Sequence, residues 1–552
     1  MTGGLLNIQS YGSENIILTG NPSKSFFKGS YSKYTNFGKQ YFRLDYEGER
    51  YLHLNEVTKY KFKVKRYADL LSEMFLCVTL PNIWSPLCKF DNDDYKGYKG
   101  YEFKWIKNIG TQMIKNIKFT IGGQTIQEFG GDYLQNMVER DFSESQKQQF
   151  YKMTGNIDEL NDPIQAHLRG VYPHAVYQSQ SDTDPSEIEP SIRSKDLYIP
   201  LNAWFSMNTK MAFPLVSLQY SELEIEIEIR PLKELFIIRD FDADPTGTDT
   251  YPSNSYIQPS STNENHLMYR FLHPPPPPNS FSDPDLLWEY YRSQYTDKRI
   301  TWKNDLHLLS KYIFLSEEEK IAFASKDQRY LFKEIHTNKF NKIANTNKVD
   351  IKTQGMISNF MFYLQRDDVS KRNEWSNYTN WEYEWIPYPF VKPTNTMYGD
   401  LNNNLIRVTG KYKEKNTKDI LIDWSLVLDG KYRENTQKEG ILKYIESYNH
   451  SLGDKCEGLY NYNFCLNTNP SDIQPSGAMN MNNFNSIEFE LTSITPPLSN
   501  NPNFYNICNE DGTVGFRKEG TSIYDYTFDL TVYEERYNIL LFKSGNAGLT
   551  IA

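Results

Sequence analysis

Leu223-Glu224-Ile225-Glu226-Ile227-Glu228-Ile229 alternates aliphatic and acidic residues without interruption, a pattern of period two that only a β-strand with one dry face can satisfy. The same period recurs along the chain. Tyr60, Phe62 and Val64 alternate with lysines, and Ile117, Phe119 and Ile121 alternate with Asn116, Lys118 and Thr120. Further on, Ile420, Ile422, Trp424, Leu426 and Leu428 make one row, Ile487, Phe489 and Leu491 another, and Tyr526, Phe528, Leu530 and Val532 a third. Half-buried antiparallel strands of this kind, separated by Gly, Pro and Asn turns, predict sandwiches or jelly rolls. With 552 residues the chain exceeds one ordinary core, so two domains of roughly 200–250 residues are expected. Aromatic residues make up 15% of it, which suits strands and large protein contact surfaces.

Helical signals are few. Leu134–Lys152, rich in Gln, Glu and Lys, predicts a helix, and Ser316 followed by Glu319 reads as a capping box that starts a second one. The first block of strands closes near Arg230 and the second opens at Leu306. Between them, residues 237–300 carry Asp240, Asp242, Asp244 and Asp249, a Ser/Thr/Asn-rich stretch and the proline run Pro274–Pro278, which cannot join a ladder and reads as a linker or surface insertion. A second insertion, 366–405, is rich in Asn, Trp, Tyr and Pro and predicts an ordered aromatic loop. There is no exact repeat, yet the two halves match in size and β character, as a duplication would leave them.

Several function classes find no support. The net charge of −10 opposes tight binding to bare nucleic acid, and the run Lys59, Lys61, Lys63, Lys65, Arg66 reads as the wet face of a strand. Mean hydropathy is −0.66, and no apolar run approaches the ~18 residues of a spanning helix. The first twenty residues show no basic region followed by a long apolar stretch, so no secretory signal is expected. Five cysteines at 77, 88, 456, 465 and 508, an odd number with no CxxC pair, predict free thiols. Neither a phosphate-binding GxxxxGK[ST] loop, an HExxH helix nor a GxSxG elbow occurs, and the eight histidines do not cluster; His273 and His450 read as solvent-facing. Asp240, Asp242 and Asp244 resemble the start of a calcium loop, but Pro245 and Tyr251 stand where Gly and Glu are needed, so a plain acidic loop is expected. The sequons at Asn377 and Asn449 read as idle.

Three stretches then point to a family. Residues 101–134 contain Trp105-Ile106, Gly110, Ile121-Gly122-Gly123-Gln124 and Gly131-Asp132-Tyr133-Leu134; residues 306–335 contain Tyr312-Ile313-Phe314-Leu315 and Phe323-Ala324; and Gln474-Pro475-Ser476-Gly477 is followed by Asn480. Together with Leu197–Leu201, Trp204-Phe205, Phe213-Pro214-Leu215, Ser544–Leu549 and the opening Gly3-Gly4-Leu5-Leu6, they resemble the major capsid protein of nucleocytoplasmic large DNA viruses over nearly the whole chain. The resemblance implies an all-β fold of two consecutive eight-stranded jelly rolls with short helices in inserted loops. It divides the chain into an N-terminal arm (1–24), a first jelly roll (25–236), the 237–300 insertion and a second jelly roll (301–552), with 312–315 and 323–324 opening the second. It implies trimers that form pseudo-hexameric capsomers, no catalysis and no cofactor. The implied partners are further copies of itself, minor capsid and penton proteins and an internal membrane reached through other proteins, without specific nucleic-acid binding. The implied location is the virion, assembled in the host cytoplasm. A minor or paralogous capsid component and a two-jelly-roll glycan-binding or glycan-processing protein are the alternatives. Within the motifs, Gly122-Gly123 supplies the positive φ of a two-residue hairpin. The apolar Leu5, Leu6, Ile8, Ile16, Ile17 and Leu18 suit either an arm that docks on a capsomer or an edge strand on their own domain.

Overall fold

A computed structural model describes residues 12–48, 51–85, 87–92, 95–166, 171–175, 188–239, 256–262, 266–274, 302–383, 390–391, 406–407, 417–495, 504–509, 512–518 and 526–550. Eight strands build the first barrel: β1 Phe37–Leu44, β2 Thr58–Lys63, β3 Leu70–Leu80, β4 Ile114–Ile121, β5 Gln124–Phe129, β6 Lys195–Pro200, β7 Leu223–Ile229 and β8 His307–Leu315. They pair as two facing sheets, β1-β8-β3-β6 and β2-β7-β4-β5. The second barrel is built from β9 Gln328–Ile343, β10 Thr346–Asp350, β11 Met356–Arg366, β12 Leu421–Leu428, β13 Lys431–Tyr432, β14 Leu459–Asn463, β15 Ile487–Ser493 and β16 Phe528–Lys543. Its sheets run β9-β16-β11-β14 and β10-β15-β12-β13. Counted within each barrel, both follow the order 1-8-3-6 over 2-7-4-5, so the fold is a jelly roll made twice.

Alternation explains the pairing. In the second sheet of the first barrel, Ile225 stands between Phe62 and Phe119, and Ile227 between Tyr60 and Ile117, all of them buried. On the opposite face Lys61 meets Glu224 at 2.9 Å, and Lys59 reaches both Glu226 and Glu228. Lys59, Lys61 and Lys63 are therefore the wet face of a strand, the first two neutralised by glutamates of the neighbouring strand and the third by Glu47, while Lys65 and Arg66 lie beyond the strand's end. Each such exposed pair contributes about 0–1 kcal/mol, while the aliphatic face supplies the bulk of the stability.

The β4–β5 hairpin closes with Ile121 opposite Gln124, and its loop residues Gly122 and Gly123 have φ of +56° and +85°. A Cβ on Gly123 would meet nothing within 4 Å, so the cost of replacing it is a backbone cost alone. Gly123→Val is expected to lose about 1–2 kcal/mol, seen as a lower melting temperature. An unchanged melting temperature would show that this turn tolerates a β-branched residue.

Several boundaries differ from those expected. β8 and the packed Phe323 do not open the second barrel. β8 lies between β1 and β3, Tyr312 and Leu308 sit in the first core, and the Ser217 hydroxyl donates to the Phe323 carbonyl at 3.1 Å. The change of barrel therefore falls between Leu315 and Gln328 rather than at residue 301, because antiparallel closure requires the last strand to return beside the first. Segment 237–300 is not a free linker throughout. Phe236–Arg239 pairs with both Glu102–Trp105 and Tyr256–Ile257, and Ile238, Ile257, Met268 and Phe271 are buried. Residues 240–255, with the four aspartates, and 275–301, with Pro275–Pro278, lie outside the described residues. At the N-terminal side, 12–36 are exposed throughout with one short helix, Ile16–Thr19, and the first strand starts only at Phe37. Within 12–36 no strand forms, so Ile16, Ile17 and Leu18 build no edge strand, while Leu5, Leu6 and Ile8 lie outside the described residues.

The single expected helix at 134–152 is two, α1 Gly131–Asp141 and α2 Glu144–Thr154. The break falls at Ser143, whose N–H donates to the Gln146 side chain at 3.1 Å and so caps the second helix. α3 Glu317–Ser325 starts after Ser316 as expected, without the side-chain cap bond. Ile422 is 44% exposed and does not belong to the inward row: it is the extra residue of a bulge between Leu421 and Asp423, which buries Leu421 in its place. His273 is exposed, but His450 is half-buried, its Nδ1 3.1 Å from the Leu466 carbonyl oxygen.

Candidate functional site

A buried polar cluster lies between the two barrels. It begins at α1, which leaves Gly130-Gly131 and runs along the outer face of the sheet containing β11 and β16. Those two strands are dry on both faces. Phe360, Phe362 and Leu364 of β11 and Phe528, Leu530 and Val532 of β16 fill the second barrel, while Met361, Tyr363 and Tyr533 join the core of the first. A single hydrophobic cluster thus runs from one barrel into the other.

Charges are set into this dry seam. Arg140, fully buried, forms a double contact with Asp141, donates to Glu535 Oε1 at 2.6 Å and donates to Asn359 Oδ1 at 3.1 Å. Glu535 also accepts from the Tyr133 hydroxyl at 2.9 Å, the Asn359 amide at 2.8 Å and Lys333 Nζ at 3.3 Å. The Thr468 hydroxyl closes the far side on Asp141 at 2.6 Å. Burial pushes the Glu535 carboxyl up, but Arg140 and then Lys333 outweigh it and hold the pKa at about 2. Burial likewise opposes the charge of Arg140, and Asp141 and Glu535 overcome it, so this pKa is raised. The chemistry is that of a fastener: every charge is matched, and residues 395 apart in the chain are bonded directly.

The residues singled out from the sequence fall in four places. Asp132 and its helix sit in the seam. Asp132 accepts from the hydroxyls of Tyr363 (3.1 Å) and Tyr533, and Gly131 beside it lies so close to the Thr111 carbonyl that a Cβ would stand 1.8 Å from that oxygen. Gly122, Gly123 and Gln124 form the hairpin tip, where Gln124 lies beside Gly548 of the second barrel. Trp105 and Pro214 are structural: Trp105 packs edge-on to Phe103 in the first core, and buried Pro214 pairs with β3. Gln474, Pro475, Ser476 and Gly477 form an irregular turn clasped to the preceding loop, with Leu466 N–H donating to the Ser476 carbonyl at 3.1 Å and Gly477 at φ +129°. Arg140, Lys333, Asn359 and Glu535 were not anticipated. The available signal was the unbroken apolar run Phe360–Leu364, which marks a strand covered on both faces.

Two further clasps tie the barrels together. From the 366–405 insertion, Asn373 donates to the carbonyls of Lys233 (2.7 Å) and Phe236 (2.8 Å), and Trp375 Nε1 donates to that of Glu234 at 3.0 Å. Of this insertion, 366–383 form the ordered aromatic loop expected and 390–391 are also described, while 384–389 and 392–405 lie outside the described residues. Asn377 of the first sequon is buried, its amide donating to Glu374 at 2.9 Å, and so is closed to glycosylation in the folded chain. At the other end, Gln219 N–H donates to the Gly545 carbonyl at 2.8 Å. Among the described residues no three His, Cys, Asp or Glu side chains are grouped to hold a metal, and Cys77, Cys456 and Cys465 are free thiols.

Comparison with known proteins agrees with this architecture. A family model for the major capsid protein N-terminus matches residues 25–270, and one for the large eukaryotic DNA virus major capsid protein matches 319–548. Capsid protein 1 of Acanthamoeba polyphaga mimivirus is 30% identical over 240 residues, 44% of this chain and 36% of the relative. The major capsid protein of Phaeocystis pouchetii virus is 29% identical over 276 residues, 49% of each chain. The chain thus matches about a third to a half of the length of these relatives. Among solved structures, the Faustovirus major capsid protein superposes with a TM-score of 0.59 at 13% identity, covering 98% of this chain and 96% of that one, which shows a shared fold. Two jelly rolls of identical strand order, and two family models that cover both of them, lead to one conclusion: the chain belongs to the large eukaryotic DNA virus major capsid protein family.

Proposed function

We propose that this chain is a shell-building subunit that trimerises into pseudo-hexameric capsomers, which tile the icosahedral capsid of a large DNA virus. The observation that carries this reading is the repeated strand order of two barrels, each with its own core, joined where the first core extends across the seam. Two like bodies held rigidly side by side give three subunits six similar walls around a threefold axis. A hinge between the barrels would blur that symmetry, and the buried ion cluster in the seam opposes one. The chain works by assembly rather than by catalysis.

Exposed aromatic surface supplies the contact material. The edge strand β1 leaves Phe37 and Tyr41 about half exposed beside Phe314 of β8, and the segment 444–452 presents Tyr444, Ile445, Tyr448 and Leu452. Obligate interfaces bury upwards of roughly 2,000 Å², and weaker repeated contacts between capsomers let a lattice correct errors before it closes. Minor capsid and penton proteins, and through them an internal membrane, are the further partners of this reading, with assembly in the host cytoplasm. Sedimentation combined with negative-stain microscopy tests it: stable trimers with hexagonal outlines are expected, and monomers alone across micromolar concentrations would overturn it.

A further inference from the structure

The two barrels meet through surfaces that occupy defined places in the shared topology. On the first barrel the surface is α1, which lies between the fifth strand, β5, and the sixth, β6. On the second it is the outer face of the 1-8-3-6 sheet, whose Tyr363, Tyr533 and Glu535 receive Asp132, Tyr133 and Arg140 of that helix. Each barrel also carries the counterpart of the surface its neighbour uses. Between its own fifth and sixth strands, β13 and β14, the second barrel has a helix, in which a π-helical turn, Ile441–Ile445, runs straight into Glu446–His450. Leu442 anchors it in the second core and Lys443 pairs with Asp419 at 2.9 Å, so the helix is fixed to its barrel. Its other side is apolar and open. Tyr444, Ile445 and Tyr448 share one helical face and are exposed, from 53% at Ile445 to 90% at Tyr448, with Leu452 just beyond.

The first barrel's own 1-8-3-6 sheet, β1-β8-β3-β6, has the matching outer face. Its register sets Leu309 of β8 beside Phe75 of β3, and Phe75 beside Pro200 of β6. Tyr41 of β1 and Tyr198 of β6 flank this row and are 46% and 43% exposed. α3 packs Phe323 against Ile313 at one end of the face. One chain therefore joins one helix to one sheet face internally and, among its described residues, leaves one more of each open. A spare head and a spare tail of the same joint fit a second copy head to tail, and such joints form a ring where the rotation closes. We infer that the seam is repeated between subunits: the 441–450 helix of one copy lies on the outer face of the β1-β8-β3-β6 sheet of the next, with Tyr444, Ile445 and Tyr448 covering Tyr41, Phe75 and Tyr198. Three copies joined in this way make six barrels with one kind of contact throughout. The inference rests on the capsomer proposed above and adds which surfaces meet and in which direction. The joint between copies differs from the seam in chemistry. Glu73 of the receiving sheet is already paired with Lys311 at 2.8 Å, and Glu446 of the helix accepts from the Asn463 amide of its own barrel at 2.8 Å. Apolar burial is left to hold it, which suits subunits that fold first and assemble afterwards.

Because the joint is head to tail, its two faces can be spoiled separately in the full chain. A helix variant carries Ile445→Lys and Tyr448→Lys, and a sheet variant carries Tyr41→Lys and Tyr198→Lys. All four side chains are exposed, so both variants are expected to keep the circular dichroism of the parent. In sedimentation each variant alone is expected to be monomeric at micromolar concentrations where the parent is trimeric. Mixed, the two are expected to form a one-to-one dimer and nothing larger, since the intact helix of the sheet variant docks on the intact sheet of the helix variant while the other pair of faces is spoiled twice. In the otherwise unaltered protein, a photo-crosslinker at position 448 is expected to join β3, β6 or β8 of a different chain. A mixture that stays monomeric, or crosslinks that fall elsewhere or within one chain, would overturn the inference. Variants that still form trimers would sink this pairing alone and leave the capsomer standing. A parent that joins helix to sheet between chains without closing into trimers would sink the capsomer alone, and a parent that stays monomeric would sink both.

Discussion

Arg140→Leu is expected to destabilise the protein by about 3–5 kcal/mol, because it strands the carboxylates of Asp141 and Glu535 in a seam buried from solvent. Chemical denaturation reads this directly, and adding Glu535→Gln should recover part of the loss by removing one stranded charge. The pH dependence carries the sign of the argument. Glu535 has a folded pKa of about 2, below the ordinary ~4.3 of a glutamate, so the unfolded chain binds its proton first as the solution is acidified. Its contribution is therefore complete above about pH 4.3 and is lost as pH falls towards 2. In Arg140→Leu the buried carboxylate has lost its main counter-charge, and burial, which pushes its pKa up, gains the upper hand. Acidification should then relieve the strain of the variant where it weakens the parent. A loss below 1 kcal/mol with an unaltered acid profile would show that the cluster is not what fastens the barrels.

Gly131→Ala is the second large effect expected. The added Cβ would stand 1.8 Å from the Thr111 carbonyl oxygen and 2.7 Å from that of Ile114. Both are backbone atoms and neither can swing aside, so α1 must shift as a body, carrying Asp132, Tyr133 and Arg140 out of register with Tyr363, Tyr533 and Glu535. Overpacking of this kind costs about 3 kcal/mol, and here the lost seam bonds add to it, so little soluble protein is expected. Gly440→Ala is the control: its Cβ would meet only the Tyr444 ring at 3.7 Å, and its melting temperature should stay within a degree or two of the parent, on the order of 0.5 kcal/mol. Soluble, normally melting Gly131→Ala protein would mean that the close approach of α1 to the Thr111 turn is not tight.

Those two variants act on residues that were unequally visible in the sequence. Gly131 and Asp132 stand in a recognisable family stretch, although nothing in that stretch says that Asp132 reaches two tyrosines of the other barrel. Arg140 and Glu535 carry no local mark: each is a charged residue among others, in a helix and a strand rich in polar residues. Their pairing depends on two elements meeting after both barrels have formed.

What the sequence determined alone is the set of local structures whose cause is local. Strands β2, β4, β7 and β15 follow from strict alternation, since a pleated chain in half-dry surroundings leaves each side chain one choice of face. The β4–β5 turn follows from Gly122-Gly123, the residues for which positive φ carries no steric cost. Only the tertiary structure decided that β8 closes the first barrel instead of opening the second, that Ile422 bulges outward, and that the 366–383 loop clasps the neighbouring barrel. The physical reason is common to all three. Periodicity records whether a face is dry, but not which distant element dries it, and that is settled when strands hundreds of residues apart compete for the same hydrogen bonds and the same apolar surface.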